Sequence, residues 1–185
     1  SLERLLLGEA FYYLGRASEN DELTKEGFYL ACPGRYFCTD LVYTFLEKGK
    51  NEDAKKMAIY AREKVGTQRK AADIKLVMDA SLKDGDFGNC YFAFKDLQQF
   101  FPSEINSAVL KSGAYCGEKQ NYIEEALQYY DKIFSEEKNP VIEAKILELT
   151  YRMKQDDSVM FRLKSIADKN PDSKDEEAKW RKILI

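Results

Sequence analysis

The sequence predicts an all-α fold, an α-solenoid built from antiparallel helix–turn–helix repeats. One observation is that apolar residues recur three and four positions apart along nearly the whole chain, which is the period of an amphipathic α-helix. The other is that turns recur at Gly49, Gly85, Asn121 and Lys154, which are 36, 36 and 33 residues apart. A helical pattern interrupted at a fixed period of about 20 to 50 residues is typical of a repeat array.

The first predicted hairpin covers residues 35–70, and Gly49 marks its turn. Glycine suits this place because many helices end in a residue with left-handed backbone angles. The short connection makes the two helices antiparallel neighbours. The apolar positions of the two helices are Phe37, Cys38, Leu41, Val42, Phe45, Met57, Ala58, Ala61 and Val65.

Three further hairpins are predicted over residues 71–106, 107–139 and 140–172. Pro102 ends the first of them because proline cannot continue a helix, and Pro140 suits the first turn of a new helix. Their apolar positions are Ile74, Val77, Met78, Cys90, Phe94, Leu97, Leu110, Ala114, Ala126, Tyr130, Ile133, Ile146, Leu147, Thr150, Val159, Leu163 and Ile166.

The two ends of the chain show no clear repeat. Residues 1–34 form a predicted N-terminal helical segment, a degenerate repeat or a pair of packing helices, with helices over 2–15 and 21–31. Residues 173–185 open with a capping box and predict a final helix that carries Trp180, as a C-terminal cap or as the start of a further repeat. We expect the chain to be a piece of a longer protein.

Composition restricts the classes of partner. The net charge of −3 speaks against a nucleic-acid binder, since phosphate recognition usually needs a basic excess. No apolar run reaches the roughly 20 residues of a membrane span, so no membrane partner is expected. The four cysteines are expected to be reduced, buried thiols of an intracellular protein, cytoplasmic or alternatively nuclear.

Catalysis has no recognisable machinery in this sequence. The chain contains no histidine, which excludes Ser-His-Asp and Cys-His pairs, and no glycine-rich nucleotide-binding motif is present. Cys32 and Cys38 are too far apart for the usual zinc-binding spacing. We therefore expect no enzyme activity, no cofactor and no metal site.

The turn sequences GKNEDA (residues 49–54) and GDFGNC (residues 85–90) resemble the Gly-Asp-Tyr-x-x-Ala turn of tetratricopeptide repeats. Phe94 and Pro102 follow in the order that this family shows. The resemblance covers about residues 35–171. It is one of degenerate repeats, because the family's Trp, Gly and Tyr of the first helix are replaced. The resemblance implies a right-handed superhelix whose first helices line a concave face.

The concave face implied by this register defines the candidate partner-binding site. Its residues are Tyr36, Thr39, Tyr43, Lys75, Asp79, Lys111, Tyr115, Glu148 and Tyr151. Tyrosine and lysine together suit an extended or helical peptide with apolar and acidic groups. Thr39 and Tyr43 stand where chaperone-binding family members hold Lys and Asn, so a carboxylate clamp is not expected. In an alternative, another helix of the same protein fills the groove.

These observations predict a non-enzymatic scaffold for protein–protein interaction, with another protein as its partner. Two alternatives remain open. One is an RNA-binding helical array that resembles the pentatricopeptide repeats. The other is the regulatory domain of an enzyme whose catalytic part lies outside residues 1–185.

Overall fold

A computed structural model describes residues 1–68, 70–155 and 157–169, and within them all regular secondary structure is helical, without a β-strand. The all-α prediction is confirmed. The ten α-helices are α1 (Leu2–Ala17), α2 (Asp21–Ala31), α3 (Phe37–Glu47), α4 (Asn51–Val65), α5 (Ala71–Asp84), α6 (Phe87–Phe100), α7 (Ser107–Lys119), α8 (Ile123–Glu137), α9 (Pro140–Lys154) and α10 (Asp157–Lys169). Short 3₁₀ turns follow α4 and α6. The helix predicted over 173–185, with Trp180, lies outside the described residues.

Side-chain caps fix where several helices begin. Asn20, Asp86, Asn106 and Asn139 each accept a hydrogen bond from a backbone N–H in the first turn of the helix that follows. Such caps satisfy a donor that the helix itself leaves unpaired. Pro140 occupies the first turn of α9, as predicted.

Left-handed residues form the turns between paired helices. Gly49, Gly85 and Asn121 have φ angles of 72°, 76° and 65°, so the three turns predicted at these positions are confirmed. At the fourth turn the left-handed residue is Gln155, with φ 50°, directly after Lys154. Asparagine adopts these angles more readily than most residues with a side chain, which suits Asn121, whereas Gln155 adopts them at a higher steric cost.

The chain divides into two compact units, Ser1–Glu104 and the residues from Ile105 onward. In the first unit, α1 packs on α2, α3 on α4, and α5 on α3, α4 and α6. In the second unit, α7 packs on α8, α8 on α9, and α9 on α10. Helices therefore pack mainly on their neighbours in sequence, as helical hairpins do.

Most of the predicted apolar positions lie in the core of their unit, together with further buried residues such as Phe28 and Leu149. In the first hairpin all of them are buried except Val65, which is partly exposed. In the later hairpins Ile146, Thr150 and Ile166 are partly exposed and the rest are buried. The helical period of the sequence thus identifies the packed faces.

The contact between α1 and α2 depends on glycine. Gly8 and Gly15 of α1 face α2, and Gly27 of α2 faces α1. A Cβ atom added at Gly27 would lie 2.6 Å from the backbone nitrogen of Tyr12, closer than van der Waals contact allows. The missing side chains let the two helices approach each other until their backbones touch.

A disulfide closes the loop between α2 and α3. Cys32 and Cys38 are six residues apart and bonded to each other, with Cα atoms separated by 5.8 Å. No cysteine of the described residues is a free thiol, so the expectation of reduced cysteines is wrong. The turn at Pro33 and Gly34 folds the chain back so that the two sulfur atoms meet, which their sequence spacing alone did not indicate.

We expect Gly27→Ala to lower the free energy of unfolding by about 1 to 3 kcal/mol, because the added methyl group overpacks the α1 contact. Urea denaturation followed by circular dichroism would measure the change. Glu26→Ala is the control, since Glu26 is an exposed neighbour in the same helix. Equal stability of Gly27→Ala and the wild type would contradict the close approach of α1 and α2.

Candidate functional site

One side of α3 is uncovered within the first unit. Tyr36 directly precedes α3, and Thr39 and Tyr43 follow at helical spacing, so the three side chains lie along one side of the helix. Thr39 is exposed, and Tyr36 and Tyr43 are 73% and 39% exposed. Phe45 on the other side of α3 is fully buried in the core. The structure therefore brings the three predicted site residues of α3 together on a solvent-facing surface.

A hydrogen bond connects this surface to α5. The Tyr43 hydroxyl donates to the Asp79 carboxylate across 3.0 Å. Burial, the charge of Asp79 and this hydrogen bond raise the pKa of Tyr43 to about 12. Burial also raises the pKa of Asp79, although the hydrogen bond from Tyr43 and the nearby Lys75 and Lys83 act in the opposite direction. Two predicted site residues from consecutive hairpins are thus direct partners.

Lys75 lies on α5, one turn before Asp79. Its Nζ atom is 2.8 Å from a carboxylate oxygen of Glu104, in a partly exposed ion pair. An ion pair of this kind contributes little to stability, because water screens both charges. The lysine can therefore exchange Glu104 for the carboxylate of a partner at small cost.

Lys111 and Tyr115 lie on α7 in the second unit. Lys111 Nζ is 2.7 Å from Glu137, which also accepts a hydrogen bond from Ser107. The hydrogen bonds from Lys111 and Ser107 lower the pKa of Glu137. Tyr115 is 38% exposed, and Lys119 Nζ lies 5.2 Å from the centre of its ring. These groups form a mixed aromatic and charged surface on α7.

A buried charged cluster joins α7, α8 and α9. The Glu118 side chain is 5% exposed; it accepts hydrogen bonds from the Tyr130 hydroxyl at 3.2 Å and from Lys145 Nζ at 2.9 Å. Lys145 also lies 3.2 Å from Glu148, a predicted site residue. Because a buried charge is stable only when it is paired, this cluster fixes the spacing of the three helices.

Electrostatics within the cluster favour its charged form. Burial alone would lower the pKa of Lys145, but the hydrogen bonds and charges of Glu118 and Glu148 outweigh it and raise that pKa. Burial, followed by the charge of Glu118, raises the pKa of Tyr130 far above its ordinary value. Tyr130 therefore stays a neutral hydrogen-bond donor at every physiological pH.

Tyr151, the last predicted site residue, lies at the packed contact between α9 and α10. It is partly buried against a cluster made of Ala144, Leu147, Val159 and Leu163. Its ring thus has a packing role within the second unit.

Two features of the site were missed by the sequence analysis. Tyr13 of α1 shares a hydrogen bond with Tyr36 through their hydroxyl groups, and the Tyr12 ring stacks 3.9 Å from that of Phe37. The apolar stripe of α1 could have pointed to Tyr13. Glu118 gave no signal, because a single charged residue near the end of a predicted helix is normally solvated.

Comparison with known proteins gives no assignment. No protein-family model matches the chain, and no curated protein matches it. In the part of the chain that the structure describes, no group of three or more acidic or cysteine side chains could hold a metal ion. No described helix has both the length and the apolar character needed to cross a membrane. A function must therefore be inferred from the geometry of the exposed α3 surface.

We expect Glu118→Ala to lower the free energy of unfolding by about 3 kcal/mol, since it removes a buried carboxylate 2.9 Å from Lys145. Glu124→Ala, at an exposed position of α8, is the control and should change stability by less than about 0.5 kcal/mol. Urea denaturation would measure both.

The double variant Glu118→Leu/Lys145→Met tests whether the loss comes from an unpaired charge. It should be more stable than Glu118→Ala, because neither member of the buried Glu118–Lys145 pair is then left without the other. A double variant that is less stable than Glu118→Ala would contradict this explanation.

The raised pKa of Asp79 predicts that the stability of the folded protein depends on pH. Its pKa is raised in the folded state, so the stability that it contributes is complete below its ordinary pKa and is lost as the pH rises through the folded pKa. Asp79→Asn cannot ionise, and its amide oxygen can still accept from Tyr43. We therefore expect this variant to gain stability relative to the wild type between pH 4 and pH 7, measured by urea denaturation at each pH.

Asp40→Asn is the matched control for this measurement, because Asp40 is an exposed aspartate on α3. It should show no comparable gain. If Asp79→Asn lost stability relative to the wild type as the pH rose, the Asp79 carboxylate would be stabilising as an anion and the argument would be wrong.

Proposed function

We propose that the chain is a non-enzymatic, tetratricopeptide-like scaffold that binds an extended or helical segment of another protein on the first helices of the hairpins within a unit. The observation that carries this proposal is the uncovered side of α3. Tyr36 and Tyr43 are exposed there, while the opposite side of the helix is buried. Two exposed tyrosines on a rigid helix offer a large contact area at small entropic cost.

Contacts that recur between successive hairpins support the repeat architecture of the first unit. Lys25 of α2 lies 3.2 Å from Asp53 in the first turn of α4. Lys55 of α4 lies 3.2 Å from Asp86, the cap of α6. In both cases a lysine on a second helix contacts an aspartate at the start of the next second helix. A repeated contact of this kind is what stacked repeats produce.

The first helices are connected in a similar way in each unit. In the first unit the Tyr43–Asp79 hydrogen bond joins α3 to α5. In the second unit Lys145 of α9 contacts Glu118 of α7. These contacts support first helices that lie side by side within each unit, which is the arrangement that a binding face in that unit requires.

Charge and ring chemistry define the expected partner segment. Lys75 and Lys111 are each held by one carboxylate in a partly exposed ion pair, so acidic groups of a partner can compete for them. Tyr36, Tyr43 and Tyr115 offer exposed rings for apolar side chains. We therefore assign the surface of α3 and α5 in the first unit, and separately that of α7 in the second unit, to segments that combine acidic and apolar residues.

The disulfide gives information on the cellular compartment of the protein. Disulfides persist in oxidising compartments and are rare in the reducing cytosol. The bond between Cys32 and Cys38 therefore favours an oxidising compartment over the cytoplasmic location expected from the sequence.

A displayed library of random peptides, selected on the purified chain, tests the proposal. We expect enrichment of peptides that carry acidic and apolar residues. Tyr36→Ala/Tyr43→Ala should weaken binding of an enriched peptide at least about tenfold in isothermal titration calorimetry, because the ring contacts of α3 are lost. Phe92→Ala is the control, since Phe92 is 62% exposed but lies on α6.

Two outcomes would contradict this assignment. If no peptide were enriched, or if Phe92→Ala reduced binding as much as the double variant, the α3 surface would not be the binding face. Tight, salt-sensitive binding of single-stranded RNA would favour the RNA-binding alternative instead.

A further inference from the structure

The Cys32–Cys38 disulfide encloses the segment that carries Tyr36, the more exposed tyrosine of the α3 surface. The two cysteines are six residues apart in the sequence, and Tyr36 lies between them. A cross-link that closes so short a loop restricts mainly the residues inside the loop. Its direct effect therefore falls on the start of the α3 surface and little on the packing of the helices.

The start of α3 lacks the side-chain cap that fixes other helices of the chain. Tyr36 directly precedes the helix, and its side chain accepts no hydrogen bond from the first turn. Gly34, two residues earlier, has a φ angle of 118°, and glycine adopts many other backbone angles at little cost. The loop sequence alone thus leaves the position of Tyr36 open. The disulfide removes this freedom, because it ties the first turn of α3 at Cys38 to the end of α2 at Cys32.

Two noncovalent contacts join the loop to α1, and both face water. Arg35 lies 2.9 Å from Glu9 in a partly exposed ion pair. The hydroxyl groups of Tyr36 and Tyr13 share a hydrogen bond, and both side chains are more than half exposed. Water competes for such contacts, so each adds little to the stability of the loop. We therefore expect them to be insufficient to hold Tyr36 in one position once the disulfide is broken.

The rest of α3 is held without the disulfide. Phe37, the first residue of α3, is buried, and its ring stacks 3.9 Å from that of Tyr12. Further along the helix, the hydroxyl of Tyr43 donates to the carboxylate of Asp79. Loss of the disulfide therefore leaves α3 packed and changes the position of Tyr36 relative to Tyr43.

We propose that the Cys32–Cys38 disulfide positions Tyr36 for binding, so that the affinity of the α3 surface for its partner segment depends on the redox state of this one bond. The inference rests on the proposed binding function of α3. With the bond intact, Tyr36 and Tyr43 form a preorganised pair of rings on one side of the helix. With the bond reduced, a partner must first immobilise Tyr36, and that ordering lowers the affinity.

A dithiol supplies the two electrons of the reduction. One of its thiolates attacks a sulfur atom of the disulfide, forms a mixed disulfide with that cysteine and displaces the other cysteine as a thiolate. The second thiol of the reductant then closes a cyclic disulfide and releases the first cysteine. The chain gains two electrons and two protons, as the thiols of Cys32 and Cys38, and the dithiol loses both.

Isothermal titration calorimetry with and without dithiothreitol tests the proposal, using a peptide enriched on the oxidised chain in the display selection. We expect reduction to weaken binding by about three- to tenfold, because the ring of Tyr36 must be ordered anew. Cys32→Ser/Cys38→Ser should bind as weakly as the reduced wild type, and dithiothreitol should not change its affinity. A variant that binds as tightly as the oxidised wild type would overturn the proposal. So would a variant that still responds to dithiothreitol, since another bond would then be responsible.

A double-mutant cycle tests whether the disulfide acts through Tyr36. Reduction should leave the affinity of Tyr36→Ala unchanged, because the ring that the bond positions is then absent. Tyr43→Ala is the matched control: Tyr43 is fixed by Asp79 on the same side of the helix, so this variant should keep the full effect of reduction. An effect on Tyr36→Ala as large as on the wild type would show that the bond supports the fold in general, which contradicts a role in positioning.

Hydrogen exchange measured by NMR needs no peptide, so it separates this inference from the proposed function. The N–H of Cys38 donates to the carbonyl of Arg35 across 3.2 Å, which protects it while the loop is closed. We expect it to exchange faster in the reduced chain, whereas the N–H of Phe45, in the buried part of α3, should keep its protection. Equal exchange at Cys38 in the two forms would overturn the proposal.

The two measurements together identify which inference fails. If the N–H of Cys38 responds to reduction but no peptide binds the oxidised chain, the proposed binding function is wrong and the redox dependence of binding fails with it, while the positioning of Tyr36 stands. If a peptide binds both forms equally, α3 keeps its proposed function and the redox inference alone is wrong.

Discussion

Each helix in the described part of the chain depends on burying its apolar side against a neighbouring helix. The described helices are short: α2 and α3 have 11 residues each, and the others have 13 to 16. Isolated helices of this length are marginal in water, because the cost of starting a helix is recovered only over many residues. Tertiary packing therefore decides whether each helix exists, and the left-handed turns make that packing possible by reversing the chain within a few residues.

Polar contacts set how the hairpins are spaced once their apolar sides have met. Asp79 and Glu118 are carboxylates removed from water in whole or in part, and each is held by a hydrogen bond from a tyrosine. A buried carboxylate without a partner is strongly destabilising, so these contacts oppose any slippage of one helix along another. The contact with α5 also holds the exposed side of α3 in place, since Tyr43 lies on that side and donates a hydrogen bond to Asp79.

The helices and most of their turns could be predicted from the sequence, because local interactions determine them. Helical periodicity and the glycines at positions 49 and 85 identified the helices and two of their turns, and Asn121 identified a third. The Cys32–Cys38 bond and the burial of Glu118 were not predicted from the sequence, because both depend on which segments meet in three dimensions. The binding site stays a prediction: two of its residues, Tyr43 and Asp79, are hydrogen-bonded to each other, whereas the contact of Tyr13 with Tyr36 depends on the path of the loop between α2 and α3.

Packing between neighbours in sequence also has a kinetic consequence. Because the principal helix contacts within each unit join helices that are neighbours in sequence, the average contact spans a short stretch of chain. Proteins with such local contacts fold quickly, since little chain entropy is lost before a contact forms. A nascent chain can therefore complete its first hairpins while the ribosome is still adding the later ones, and each new hairpin meets a surface that is already formed.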